Sequence, residues 1–143
     1  MQLDISLATD SGSTVQPQKV IPMYFAAAVT AGDVVMEDTA TTSTANGSVL
    51  AAGQAGKKST ASADLAGIVG GAKDTCAAGT WGRVVISGVQ TGVACDTVTA
   101  GDALRSSATA GRLNVAANTD INIVAEALTS ASSNTCTVRW LRG

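Results

Sequence analysis

The sequence predicts an all-β fold: a compact β-barrel or β-sandwich, jelly-roll-like, made of short strands and preceded by an extended N-terminal arm. Three observations point there. From Thr30 onward, short β-prone runs alternate with Gly, Asn, Asp and Ser punctuation, at roughly the 8–12-residue spacing typical of sandwiches and barrels. The last run alternates cleanly, with Cys136, Val138 and Trp140 on one face and Thr137, Arg139 and Leu141 on the other. The Ala-rich places where a helix could start, Ala26-Ala27-Ala28 and Ala125-Glu126-Ala127-Leu128, meet Gly or Thr before the ~12–15 residues that an isolated helix needs. A short helical turn or two is the most that is expected.

In chain order, residues 1–19 form the expected arm, since Asp10-Ser11-Gly12-Ser13 and Gln16-Pro17-Gln18 carry little periodicity. Residues 20–143 form a single β domain. Lys19 to Val29 holds the only Tyr and the only Phe, and Pro22 marks it as an edge strand or a strand beginning. Further strands are expected at Val34–Met36, Ser48–Ala51, Leu65–Val69, Arg83–Ser87, Val89–Ala94, Ala103–Arg105, Leu113–Val115, Ile121–Leu128 and Cys136–Leu141. Asn46-Gly47 is a hairpin-turn dipeptide, a better reading than the formal Asn46-Gly47-Ser48 glycosylation sequon. Most of the stretch from Ala45 to Asp64 lacks apolar periodicity and reads as a surface loop. Thr30-Ala31-Gly32-Asp33 and Thr99-Ala100-Gly101-Asp102 share a turn-to-strand corner, with Ala77-Ala78-Gly79-Thr80 a looser relative. Their irregular spacing makes them recurring corners and not a solenoid repeat.

Composition excludes whole classes of chemistry. At 143 residues and 14.1 kDa the chain is long enough for one self-sufficient core. Charged residues make up 14%, against about 25% in ordinary soluble domains. Aromatics are 3% and histidine is absent, which removes Ser-His-Asp and Cys-His catalysis and His-ligated zinc. A net charge of −2 leaves no footprint for nucleic acid. The apolar run Met23–Val29 is far short of a membrane span, and the start Met1-Gln2-Leu3-Asp4-Ile5 lacks the pattern of a secretory signal. No membrane partner and no enzyme activity are expected.

The remaining motifs have plain explanations. Cys76, Cys95 and Cys136 contain no C-x-x-C pair and read as buried thiols of a protein made in a reducing cytoplasm, with a Cys76–Cys95 disulfide as the lesser alternative. Gly53-Gln54-Ala55-Gly56-Lys57-Lys58-Ser59 imitates a phosphate loop with the wrong glycine spacing and Lys58 where a hydroxyl belongs. Gly67-Ile68-Val69-Gly70-Gly71 lacks the opening of a dinucleotide fingerprint and fits a bulge or close packing. Asp33, Glu37 and Asp38 lack the tight ligand spacing of a calcium loop. Trp81 and Trp140 read first as anchors of a core or a subunit interface, and second as ligand-stacking platforms. No catalytic, cofactor-binding or metal-ligating residue is assigned, and no cofactor is expected.

One resemblance adds to this. Ala66-Gly67-Ile68-Val69 is followed by Ala78-Gly79-Thr80-Trp81-Gly82-Arg83-Val84-Val85-Ile86-Ser87-Gly88-Val89, then by Thr99-Ala100-Gly101-Asp102-Ala103-Leu104 and Ala110-Gly111-Arg112. Ala125-Glu126-Ala127-Leu128 and Thr137-Val138-Arg139 close the series. In this order the motifs, over about residues 30–141, resemble the small capsid decoration, or cement, proteins of tailed bacteriophages. The resemblance implies a homo-dimeric or trimeric virion protein on the outer capsid surface, clamping neighbouring subunits of the major capsid protein, with no catalytic residues. Either the 1–19 arm or the 45–64 loop could touch capsid, since both lie outside the best-matched motifs. The competing expectation is a receptor- or glycan-binding tip of a phage fibre, for which only Trp81, Trp140 and Tyr24 supply aromatic surface.

Overall fold

The structure, a computed structural model, describes residues 18–60, 67–117 and 122–141; most of the expected arm, residues 1–17, lies outside them. Nine strands are found, with no α-helix among the described residues. They are β1 (Lys19–Phe25), β2 (Val34–Glu37), β3 (Ala55–Lys58), β4 (Ile68–Ala72) and β5 (Thr80–Ala94), then β6 (Ala103–Ser106), β7 (Leu113–Val115), β8 (Ala125–Ala127) and β9 (Thr135–Leu141). They form one sheet ordered β1-β3-β2-β4-β5-β9-β8-β6-β7, and an added β1–β5 pairing closes the first five into a barrel. The fold is therefore compact and all-β, in the barrel form of the two expected architectures.

The second half repeats the first. β1 pairs parallel with β3, and the ring continues antiparallel through β2, β4 and β5. In the second half, β5 passes antiparallel to β9, then to β8, β6 and β7. Cys95, the residue after β5, meets Leu113 of β7 in a parallel bridge that closes this ring too, and the Asp96 N–H donates to the Leu113 carbonyl at 2.8 Å. Every pairing keeps its sense when β1, β2, β3, β4, β5 are replaced by β5, β6, β7, β8, β9. The two rings share β5.

The two Thr-Ala-Gly-Asp corners are equivalent points of the two rings, down to single bonds. Asp33 Oδ2 accepts from the Thr30 N–H at 2.9 Å, and Asp102 Oδ2 from the Thr99 N–H at 2.7 Å. Gly32 donates to the Ala72 carbonyl as Gly101 does to that of Ala127, and both glycines have φ of 94°. Thr75 Oγ1 receives the Ala31 N–H, and Ser130 Oγ receives that of Ala100. These corners stand out in the sequence; the structure makes them the marks of a doubled unit, which the unequal β2–β3 and β6–β7 connections conceal.

Sharing β5 explains the burial pattern. Val34 and Val35 are both buried, as are Val84 and Val85, because these strands are covered on both faces. Val35 and Val84 point into the first ring with Met23, Phe25, Val29, Ala72 and Cys76. Val34 and Val85 join the second core, around Leu104, Leu113, Val138 and Trp140. At the junction Gln90 is buried and bonded at both ends of its amide: Trp140 Nε1 donates to its Oε1 at 2.8 Å, and its Nε2 donates to the Ala72 carbonyl at 3.0 Å. Burial of an amide is tolerable on such terms only.

Several expected strands change. Arg83–Ser87 and Val89–Ala94 are one strand of 15 residues, since Gly88 and Gly92, at positive φ, redirect β5 without ending it. Part of the expected 45–64 loop is β3, where Gly56 lies so close to Phe25, Met23 and Val35 that a Cβ would meet each at 3.0–3.1 Å. Ser48–Ala51 keeps only a bridge from Val49 to Ser43. The strand expected at Leu65–Val69 runs Ile68–Ala72, with Leu65 and Ala66 outside the described residues. That expected at Ile121–Leu128 shrinks to Ala125–Ala127, with Ile121 outside the described residues. Ala26 and Ala27 form bends, and Ala125–Ala127, in the other candidate helical turn, is a strand. Pro22 sits where β1 has β5 on one side while the β3 pairing covers only Tyr24 and Phe25, so the edge assignment holds locally.

Two outcomes follow from this geometry. A Cβ on Gly32 would lie 2.2 Å from the Gly92 carbonyl oxygen, whereas one on Gly101 meets nothing within 4 Å. Gly101→Ala should therefore cost about 1–2 kcal/mol of backbone strain, and Gly32→Ala measurably more, as read by urea denaturation of both variants. Gln90→Leu should cost about 1–3 kcal/mol by stranding the Trp140 N–H. An unchanged urea midpoint would contradict the described junction.

Candidate functional site

The two rings differ most in one connection. β6 and β7 are joined by Ser107 to Arg112, but β2 and β3 are joined by the longer Asp38 to Gln54. The longer link opens on Asp38, whose carboxylate accepts from the N–H groups of Ala40 and Thr41 and from the Thr41 hydroxyl. Partial burial works to raise the Asp38 pKa, but these bonds and the Lys57 charge together hold it below the ordinary value.

A small hairpin then folds back over the barrel. Gly47 N–H donates to the Thr44 carbonyl at 2.9 Å, Thr44 N–H to Ser48 at 2.8 Å and Leu50 N–H to Thr42 at 2.9 Å, with Gly47 at φ 87°. This is the expected Asn46-Gly47 turn, closed by a left-handed glycine. Asn46 Oδ1 accepts from the Thr44 hydroxyl and from the Ser48 N–H. Tyr24 ties the hairpin down, its hydroxyl oxygen accepting the Ala45 N–H at 2.9 Å. Gln54 secures the return: its Oε1 accepts the Ala51 N–H at 2.7 Å, and its carbonyl accepts the Tyr24 N–H at 2.8 Å.

Between hairpin and barrel lies a cavity of about 440 Å³ with Trp81 in its wall. The Trp81 ring meets Tyr24 edge-on, 5.8 Å between centroids and 66° between planes. Trp81 is 47% exposed and Val49, at the hairpin's end, 86% exposed, whereas Trp140 is 2% exposed. The tryptophans thus separate: Trp140 anchors the core as expected, and Trp81 presents ring surface to solvent. Among the described residues the cavity wall holds no Asp, Glu, Lys or Arg. In the second ring the positions of Tyr24 and Trp81 fall to Val93 and Cys136, a buried pair.

The other residues singled out by sequence serve the fold. Gly53 lies in a turn, Ala55–Lys58 is β3, and the buried Ser59 oxygen receives the Gly111 N–H at 3.1 Å, so this stretch holds two connections together. Gly70 and Gly71 belong to β4. Asp33 caps its corner and pairs with Lys58 at 3.6 Å. Further ion pairs join Arg83 to Asp74 at 2.6 Å, Arg112 to Asp96 at 3.4 Å and Arg139 to Glu126 at 2.8 Å. The Arg83 bond and charge hold the Asp74 carboxyl below its usual range. Glu37 and Asp38 are not brought together with a third ligand; among the described residues no group of three or more His, Cys, Asp or Glu could hold a metal.

All three thiols are buried and free. The lesser expectation of a Cys76–Cys95 disulfide is corrected: Cys76 sits in the first core and Cys95 in the second, where it hydrogen-bonds to Cys136. Burial, then the Cys95 thiol, pushes Cys136 up to about 12. Sequence reasoning named Tyr24 and Trp81 but missed Asn46 and Gln54 as wall residues, since turn residues carry no sign of what their hairpin covers.

No protein-family model and no curated protein matches this chain. Fold and site define the class by themselves: a compact all-β protein of two fused rings, with a neutral surface cavity on the ring that carries the longer link.

The raised Cys136 pKa sets a pH dependence. The folded state favours the neutral thiol, so its contribution is complete below about pH 9 and lost as pH rises toward about 12. Urea midpoints should fall through that range, and Cys136→Ala should flatten the fall.

Proposed function

We propose that this chain is a virion structural protein without catalytic activity. It decorates the outer capsid surface of a tailed phage, as a homo-dimer or trimer, and clamps neighbouring major capsid protein subunits. The observation that carries this reading is the character of the surface. Only 9 basic and 11 acidic residues serve 143 positions, and among the described residues Lys58 with Asp33, Arg83 with Asp74, Arg112 with Asp96 and Arg139 with Glu126 are joined in ion pairs. Neutral surface of this kind packs against copies of itself and against a lattice without a large desolvation cost. Two rings sharing a strand give a stiff body suited to bearing load, and contacts repeated over a shell add up by avidity.

A second feature fits the same reading. The N-terminal half of β1 is an open sheet edge among the described residues, directly following the expected arm. Edges of this kind accept a strand from a partner. The resemblance in the order of the glycine-corner motifs supplies the phage context.

Purified protein added to undecorated phage heads should bind at saturating stoichiometry and raise the temperature at which the heads release DNA. Failure to bind heads, together with binding to host cells, would overturn the decoration reading in favour of a fibre tip.

A further inference from the structure

The second ring shows what this fold requires. It closes, buries its core and keeps its Thr-Ala-Gly-Asp corner with only Ser107 to Arg112 between β6 and β7. The Asp38–Gln54 link of the first ring is therefore additional to the needs of the fold. It is nevertheless tightly ordered, by the Asp38 cap, the Asn46-Gly47 turn and the bond to the Tyr24 hydroxyl. A loop beyond the needs of folding, held rigid around an exposed tryptophan, has the form of a binding site.

We infer that the cavity between this hairpin and Trp81 binds a neutral saccharide. The chemistry of the wall selects that class. A pyranose has a face of C–H groups and a rim of hydroxyls. Its face fits the half-exposed Trp81 ring, which Tyr24 meets edge-on in the same wall. Its rim needs donors and acceptors side by side, which amides and hydroxyls provide. Asn46 and Gln54 have their Oε1 or Oδ1 atoms engaged by the hairpin, leaving each NH₂ to donate. The Ser48 hydroxyl adds a group that both donates and accepts. With no Lys or Arg in the wall among the described residues, phosphate and carboxylate ligands find no counter-charge there. About 440 Å³ suits one or two sugar rings. The site goes beyond the decoration reading: a particle carrying it on each copy would gain many weak contacts to a glycan-coated surface.

The test uses the full chain on an array of neutral and acidic glycans, followed by titration of the best neutral oligosaccharide with tryptophan fluorescence as the readout. Binding to neutral glycans should shift the emission of Trp81 while the buried Trp140 stays unchanged. Trp81→Ala should weaken binding about tenfold or more, and Asn46→Ala, which leaves the ring in place, should weaken it less. Trp140 emission and the urea midpoint report whether each variant is folded. Retention of head binding by folded Trp81→Ala separates this site from the capsid contact. Three results would each overturn the proposal: no neutral glycan retained, preference for acidic glycans, or loss of head binding in Trp81→Ala without any glycan binding by the parent, which would make the cavity a protein contact.

Discussion

Everything in this molecule depends on one strand serving two closed rings. β5 must pair with β1 and β4 along its first part and with β9 along its second. A strand that changes partners has to bend without losing its ladder, and Gly88 and Gly92, both at positive φ, lie within that stretch. The register with β9 shifts between Gln90 and Val93, around Gly92. The buried Gln90–Trp140 pair then bonds the last strand of the second ring to the strand it shares with the first. Because that bond is buried and satisfied, it stiffens the joint as well as closing it.

How much of this could be read in the sequence depends on what each strand packs against. β9 has one face on the core and the other half-exposed, so Cys136, Val138 and Trp140 alternate visibly with their neighbours. β3 was invisible: Ala-Gly-Lys-Lys has no β-branched or aromatic residue, and its central position is Gly56 because three larger side chains already fill the space. A glycine chosen for close packing looks the same in sequence as a glycine chosen for a loop. Gly88 misled in the same way, marking a bend within β5 that reads as a break between two strands. The doubling was half legible. The two Thr-Ala-Gly-Asp corners stand out, but their partners, Thr75 with Cys76 and Ser130 with Ala131, follow after connections of different length. Only pairing in space reveals them as equivalent.

The candidate site was legible in its parts and not in its assembly. Trp81 stands between Thr80 and Gly82 and Trp140 between Arg139 and Leu141, and neither pair of neighbours says which ring is buried. What separates them is the face of the sheet each occupies, and that depends on register. Asn46-Gly47 announces a turn, but the hairpin's position over Tyr24 follows from a single hydroxyl more than twenty positions away. Rings, thiols and ion pairs all look inward or to each other, and the hairpin is where the molecule offers unspent polar groups beside exposed carbon.

Strand sharing also orders the events of synthesis. The first ring lacks its closing strand until β5 has left the ribosome, but from then on it can close with nothing more than the chain already made. The second ring cannot begin until that same strand is in place, since β5 supplies its first wall. Folding is thereby staged from the amino to the carboxyl end, with β9 arriving last to dock on a surface already formed. A nascent chain stalled after β5 would hold a complete barrel with one long strand projecting from it, its outer edge bare and ready to receive whatever strand comes next.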